Sequence, residues 1–217
     1  MKPYYEEAGI TIYHGDAIAV LDEITAEIAV TDPPYGISYN SGARRDTLAA
    51  SIVGDEDTSL RDCFLRHWGE RPALVFGTWR IPRPAGTRAR LIWDTKGALG
   101  MGDLSIPWKP SDQEIYVCGQ GFTGHRGSNV LRYAPVQSMA SHGRLHPHQK
   151  PVELLSALIA KCPPYGRILD PFMGSGSTLV AVKKCGRDAI GIDIEERYCE
   201  IAANRLRQSV LNFEAQP

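Results

Sequence analysis

The chain has no apolar run near the roughly 18 residues a helix needs to cross a bilayer. Its first residues, MKPYYEEAGI, lack the plan of a signal peptide. Cysteine is scarce: Cys63, Cys118, Cys162, Cys185 and Cys199 are odd in number and scattered, with no CxxC pair. That suits reduced thiols in a cytoplasm better than a disulfide framework. Neither sign of charge is in excess. Lys and Arg number 24 against 25 Asp and Glu, for a net charge of −1 and a pI of about 6.6. This argues against a basic nucleic-acid coat protein but leaves a DNA enzyme open, because the distribution of charge matters more than its sum. Internal repeats and low-complexity linkers are also missing. What remains is 217 residues, 43% hydrophobic and 23% charged, which suits one globular domain with a buried core.

Acids are absent locally as well. None lies between Glu114 and Glu153, a stretch that holds Arg126, Arg132, Arg144, Lys150 and four histidines. The run Arg80, Arg83, Arg88 and Arg90 is likewise free of them. Each reads as a phosphate-binding surface or as a solvated loop face.

Short runs of Ile, Val and Leu alternate with helical patterns, which predicts an α/β domain. Strands are expected at Ile10–Tyr13, Glu27–Thr31, Ala73–Gly77, Arg90–Asp94, Glu114–Cys118, Arg167–Asp170 and Ala189–Asp193. Several show no alternation, as strands covered on both faces do. Helices are expected at 17–24, 151–162, 177–185 and 195–208, the second opened by Pro151 and ended by Pro163-Pro164. Residues 37–60 and 119–148 are rich in Gly, Ser, Arg and His and read as long inserted loops, the kind that carry function or disorder.

Two motifs carry chemistry. Arg167-Ile-Leu-Asp-Pro-Phe-Met-Gly-Ser-Gly-Ser-Thr178 runs from a strand through a glycine turn into a helix, where free N–H groups can face a ligand. Asp193 follows Gly174 by 19 residues, placed to accept from ribose hydroxyls. Leu179 stands where a dinucleotide fold prefers a third glycine, and the P-loop lysine is missing. Asp170 would repel a pyrophosphate but can accept from the α-amino group of a methionine moiety. The bland alternative is a structural glycine turn. The second motif, Thr31-Asp-Pro-Pro-Tyr-Gly36, follows a strand directly. Two prolines stiffen the backbone and leave carbonyls free to accept. Asp32 and the Pro33 carbonyl then match the two hydrogens of a primary amino group, with Tyr35 as a stacking face. Alone, it could be a proline turn with a surface tyrosine.

Taken together, Asp32-Pro-Pro-Tyr35, His146-Pro-His-Gln-Lys-Pro151, Asp170-Pro-Phe-Met-Gly-Ser-Gly-Ser177 and Gly191-Ile-Asp-Ile-Glu-Glu-Arg-Tyr198 resemble the amino-methyltransferases of DNA. The order of blocks is that of the group in which DPPY precedes FxGxG; residues 37–145 match loosely. The resemblance implies a Rossmann-like fold with a seven-stranded, mostly parallel sheet and helices on both faces, as a single catalytic domain over 1–217. It implies S-adenosylmethionine as cofactor, held by Asp170, Phe172, Gly174, Ser175, Gly176, Ser177 and Thr178 around the methionine part. Asp193 would bind the ribose, Asp16 and Ala17 would lie at the adenine, and Lys150 near the methionine carboxylate. Asp32, Pro33, Pro34 and Tyr35 would be catalytic, acting on N6 of a flipped-out adenine; related N4-cytosine enzymes more often have Ser before Pro-Pro-Tyr. Double-stranded DNA would be met by Arg44, Arg45, Arg126, Arg132 and Arg144. A homodimer, a cognate restriction endonuclease and a cytoplasmic setting in a bacterial or phage-infected cell complete the expectation. No metal is expected, since Pro147 interrupts the histidines His142, His146 and His148. A catalytically silent DNA- or nucleotide-binding module is the rival from another class.

Overall fold

The computed structural model describes residues 1–34, 57–97, 102–136 and 149–214. Among the described residues nine strands form one sheet: β1 (Tyr5–Glu7), β2 (Ile10–His14), β3 (Ile28–Thr31), β4 (Ala73–Gly77), β5 (Thr87–Asp94), β6 (Asp112–Cys118), β7 (Val130–Arg132), β8 (Ile168–Asp170) and β9 (Ala189–Asp193). All seven expected strands are present, and the two additions, β1 and β7, are three residues long and lie at opposite edges. The spatial order is β1-β2-β9-β8-β3-β4-β6-β5-β7, and five of the eight pairings are parallel.

The helices are α1 (Ala17–Val20, continuing into a 3₁₀ turn at Leu21–Glu23), α2 (Ser59–Trp68), α3 (Val152–Ile159), α4 (Ser177–Lys184) and α5 (Glu196–Glu214). Strand side chains alternate between two cores, as a period of two requires. Ile28, Val30 and Ile168 pack with α3, α4 and α5 on one face. Ala29 and Leu169 pack with α1 and α2 on the other. Both faces are thus covered, which explains why β3, β4 and β8 read as unbroken apolar runs.

Two expectations change. The segment 37–60 is not loop to its end, because α2 begins at Ser59; this helix buries Phe64, Trp68 and the stem of Arg61. Pro151 caps α3 from outside, with extended backbone (φ −63°, ψ 131°), rather than occupying its first turn.

The order of strands fixes where a ligand can sit. From β8 the chain passes through α4 to β9 on one side, while from β3 it passes through α2 to β4 on the other. Beyond the carboxyl ends of β8 and β3, two neighbours whose connections diverge, a crevice opens. Asp170 ends one of these strands and Asp32 follows the other.

Candidate active site

The crevice floor is a buried carboxylate. Asp170 is 2% exposed and accepts from Thr31 Oγ1 at 2.9 Å and from the Phe172 N–H at 3.3 Å. Burial pushes its pKa up to about 7, and the Asp32 charge adds to the rise; hydrogen bonds from Thr178, Thr31 and Phe172 pull it down. Thr31, the last residue of β3, thereby ties the strand that carries Asp32 to the strand that carries the glycine turn.

The turn itself is braced on three sides. The Met173 N–H donates to the Ile192 carbonyl at 3.0 Å, and the Gly174 N–H to Asp193 Oδ2 at 2.9 Å. Gly176 caps α4 in a left-handed conformation (φ 74°), and a Cβ there would come within 2.6 Å of Ala202 Cβ on α5. Only glycine meets both demands. From the same helix Arg205 Nη1 donates to the Ser175 carbonyl, to Ser175 Oγ at 3.2 Å and to Ser177 Oγ at 3.1 Å. The described hydrogen bonds of these two serine hydroxyls therefore serve the shape of the loop. Leu179 is fully buried where a dinucleotide fold has glycine. The space comes from the strand opposite: a Cβ on Gly191 would lie 2.7 Å from Leu179 Cδ1.

Asp193 accepts from Gly174 N–H and, through Oδ1, from Glu195 N–H at 2.9 Å. Each oxygen can accept a second hydrogen bond, which suits a pair of vicinal hydroxyls. Burial raises the Asp193 pKa to about 6. Asp16 lies close by, because β2 pairs with β9 in the register His14↔Asp193 and the Gly15 N–H donates to the Asp193 carbonyl at 2.9 Å. It is exposed and caps α1, accepting from Ile18 N–H at 2.9 Å, with Ala17 buried beneath.

Across the crevice, Asp32 is partly exposed and Pro33 buried. Asp32 forms an ion pair with Lys150, whose side chain is 7% exposed and whose ammonium sits 4.9 Å from the centre of the Phe76 ring. Phe172 is partly buried and meets Phe64 of α2 edge-on, 6.2 Å between ring centres. Asp16, Ala17, Asp32, Pro33, Pro34, Lys150, Asp170 and the glycine turn thus all lie at one rim of the sheet.

The arginines separate. Arg132 is exposed at the carboxyl end of β7, on the crevice side, 3.4 Å from Asp94 Oδ2. Arg126 is placed at the opposite rim: its neighbour His125 accepts from Lys161 Nζ at 2.6 Å, and Lys161 lies just beyond the far end of α3. A hollow of about 500 Å³ between Glu27, Pro72, Gln120 and Tyr165 also lies at that rim, away from the chemistry. Tyr35, Arg44, Arg45, Arg144 and the histidines 142, 146 and 148 fall outside the described residues. Among those described, no three His, Cys, Asp or Glu side chains gather as a metal site, and no helix is long and apolar enough to cross a membrane.

Sequence reasoning missed Thr31 and Arg205. Signals existed for both. Thr31 is a polar residue ending a buried apolar strand immediately before the prolines, and Arg205 interrupts the apolar stripe of α5 three residues after Ala202.

A doubly wound sheet with a glycine turn at its switch point and carboxylates at three strand ends defines the class of nucleoside-binding α/β domains. The comparisons with known proteins narrow that class. The family model described as DNA methylase, covering N6 and N4 methyltransferases, matches residues 71–204. Type II methyltransferase M2.DpnII of Streptococcus pneumoniae is 52% identical over 249 aligned residues, taking in 94% of this chain and 92% of that protein. Two solved structures share the fold: M1.HpyAVI in complex with SAM (TM-score 0.63, 19% identity, 90% of this chain and 99% of that one) and the cytosine-N4-specific PvuII DNA methyltransferase (TM-score 0.70, 15% identity, 93% and 88%). The chain belongs to the N6/N4 DNA methylase family.

Proposed function

We propose that this DNA methyltransferase uses S-adenosylmethionine to methylate N6 of an adenine turned out of the duplex. The observation that carries the reading is the pair of carboxylates, Asp170 and Asp32, joined through Thr31 at the ends of neighbouring strands. The acceptors suit the cofactor. Asp170 would take its α-ammonium and Asp193 its ribose hydroxyls, while Asp16 and Ala17 lie where its adenine would rest. Phe172 and the turn from Gly174 to Thr178 complete that wall. S-adenosylmethionine, when bound, supplies an electrophilic methyl group on a sulfonium.

The chain's own part is to prepare the amine. The lone pair of an aromatic amine is delocalised into its ring. Accepting both hydrogens, at Asp32 and the Pro33 carbonyl, favours a pyramidal nitrogen with its lone pair localised. Pro34 stiffens this frame and Tyr35 stacks on the base. Positive charge grows on the nitrogen, and a fixed carboxylate beside it stabilises that charge. The aspartate heading Pro33-Pro34-Tyr35, where N4-cytosine enzymes more often have serine, favours adenine.

DNA phosphates would be met on the crevice rim by Arg132, with Arg44, Arg45 and Arg144 from the segments inserted in a single catalytic domain over 1–217. A homodimer and a cognate restriction endonuclease belong to the same reading. The test is methylation of unmethylated DNA, followed by digestion to nucleosides and mass spectrometry. N6-methyladenine is expected; N4-methylcytosine would overturn the base assignment and keep the amine chemistry.

A further inference from the structure

We propose that Lys150 is a positioning residue that holds the Asp32 carboxylate in one orientation, and so sets Asp32 up as a fixed hydrogen-bond acceptor. The inference rests on the amino-methyltransferase reading above and concerns the ion pair within it. Lys150 comes from the segment ahead of α3, and Asp32 from the end of β3, 118 residues earlier. Their pairing lies toward β4, on the side of β3 away from the strand that carries the glycine turn.

Three features make this more than a surface ion pair. First, the ammonium is enclosed: its side chain is 7% exposed and it lies against the face of Phe76. An ammonium so placed needs an anionic partner, and removing that partner leaves an uncompensated charge. Second, Phe76 follows Val75, which pairs with Thr31 in the β3–β4 register, so Lys150 meets Asp32 directly above a rigid parallel pair. Third, Asp32 leaves a strand end and enters a loop, where a carboxylate alone would turn about its last torsion. A donor on Oδ2 fixes the carboxylate plane, and with it the directions of its lone pairs.

The pairing also separates two roles open to an aspartate at this point. A carboxylate engaged by an ammonium is held in one orientation. It is well suited to accepting hydrogen bonds from an amine that is gaining positive charge. Asp170, the second carboxylate facing Asp32, repels it, and Lys150 offsets that repulsion. Contact with the carboxylate of the cofactor's methionine is the competing role for Lys150, and it has a different kinetic signature.

The experiment uses full-length protein with Lys150→Met, Lys150→Arg and Lys150→Gln. Turnover is measured on DNA at saturating S-adenosylmethionine, and cofactor Kd by calorimetry. A misplaced reacting group costs on the order of 100-fold, so Lys150→Met should lose about 100-fold in kcat while cofactor Kd stays within about threefold. Arginine should restore kcat by about tenfold or more over methionine, and glutamine less. Cofactor Kd weakened tenfold with kcat unchanged would assign Lys150 to the cofactor and overturn the proposal. Should the methionine variant fail to fold, the arginine and glutamine variants decide: arginine well above glutamine in kcat at equal cofactor Kd supports it, and equal kcat overturns it. Failure of the underlying reading is visible separately, as wild-type protein that methylates no amino group in DNA.

Discussion

The proposed contact between the buried carboxylate of Asp170 and the cofactor's α-ammonium predicts that cofactor affinity depends on pH near neutrality. With a pKa of about 7, roughly one unliganded molecule in ten carries the charge at pH 6. A cofactor whose α-ammonium needs that charge should bind about tenfold more weakly for each pH unit below 7, and with constant affinity above about 8. Asp193, raised to about 6, adds its own loss only below that pH. Asp170→Asn removes the slope between 6 and 7 and leaves the weaker dependence below. Stability runs in the opposite sense. The folded pKa lies above the ordinary carboxylate value of 3.8, so the contribution is full below about 4 and is lost as pH rises through about 7. The unliganded protein should therefore melt lower at pH 8 than at pH 5. At pH 8 unliganded Asp170→Asn should be the more stable, by at most on the order of 4 kcal/mol, since a rise from 3.8 to about 7 corresponds to that cost of ionisation. Calorimetric titrations from pH 5.5 to 8.5, paired with thermal melts, read both effects. A wild-type cofactor Kd that stays flat from 5.5 to 8.5 refutes the assignment of Asp170 to the cofactor's ammonium.

Arg205→Ala should cost about 1.5–3 kcal/mol in denaturant unfolding, as loss of hydrogen bonds to a charged donor does, and should weaken cofactor binding although Arg205 is not expected to touch the cofactor. Charge reversal distinguishes the two rims: Arg132→Glu should weaken DNA binding and flatten its salt dependence, while Arg126→Glu should leave both unchanged in filter-binding titrations. Asp32→Ala should abolish methyl transfer with cofactor Kd intact by calorimetry; loss of cofactor binding as well would place Asp32 elsewhere.

Strands were the legible part of the fold because burial on both faces writes itself as uninterrupted Ile, Val and Ala, as in Ile28–Thr31 and Ala73–Gly77. Helix α2 was harder. Its buried stripe begins with a charged residue, Arg61, before Phe64 and Trp68, and its remaining positions are mostly polar. Short edge strands such as Val130–Arg132 have too few residues to show a period. In the site, Asp170, Gly176 and Asp193 stood out because their types and spacing suit a nucleoside. The bonds among them did not, because Thr31–Asp170 and Arg205–Ser175 join residues 139 and 30 apart. Spacing names candidates, and pairing register decides neighbours. Arg126 shows the difference: within one acid-free stretch it is carried to the opposite rim from Arg132.

The hold of Arg205 on the glycine turn bears on how the protein comes into being. Arg205 lies 30 residues after the Ser175 carbonyl it grips. Synthesis proceeds from the amino end, so a growing chain possesses every carboxylate of the crevice before it possesses the side chain that shapes the turn between them. On the proposed assignment of the turn to the cofactor, capture waits for α5, and an occupied site reports that α5 has docked. By the same logic, trimming of α5 by a protease would silence the enzyme while leaving its crevice carboxylates, Asp32, Asp170 and Asp193, in place.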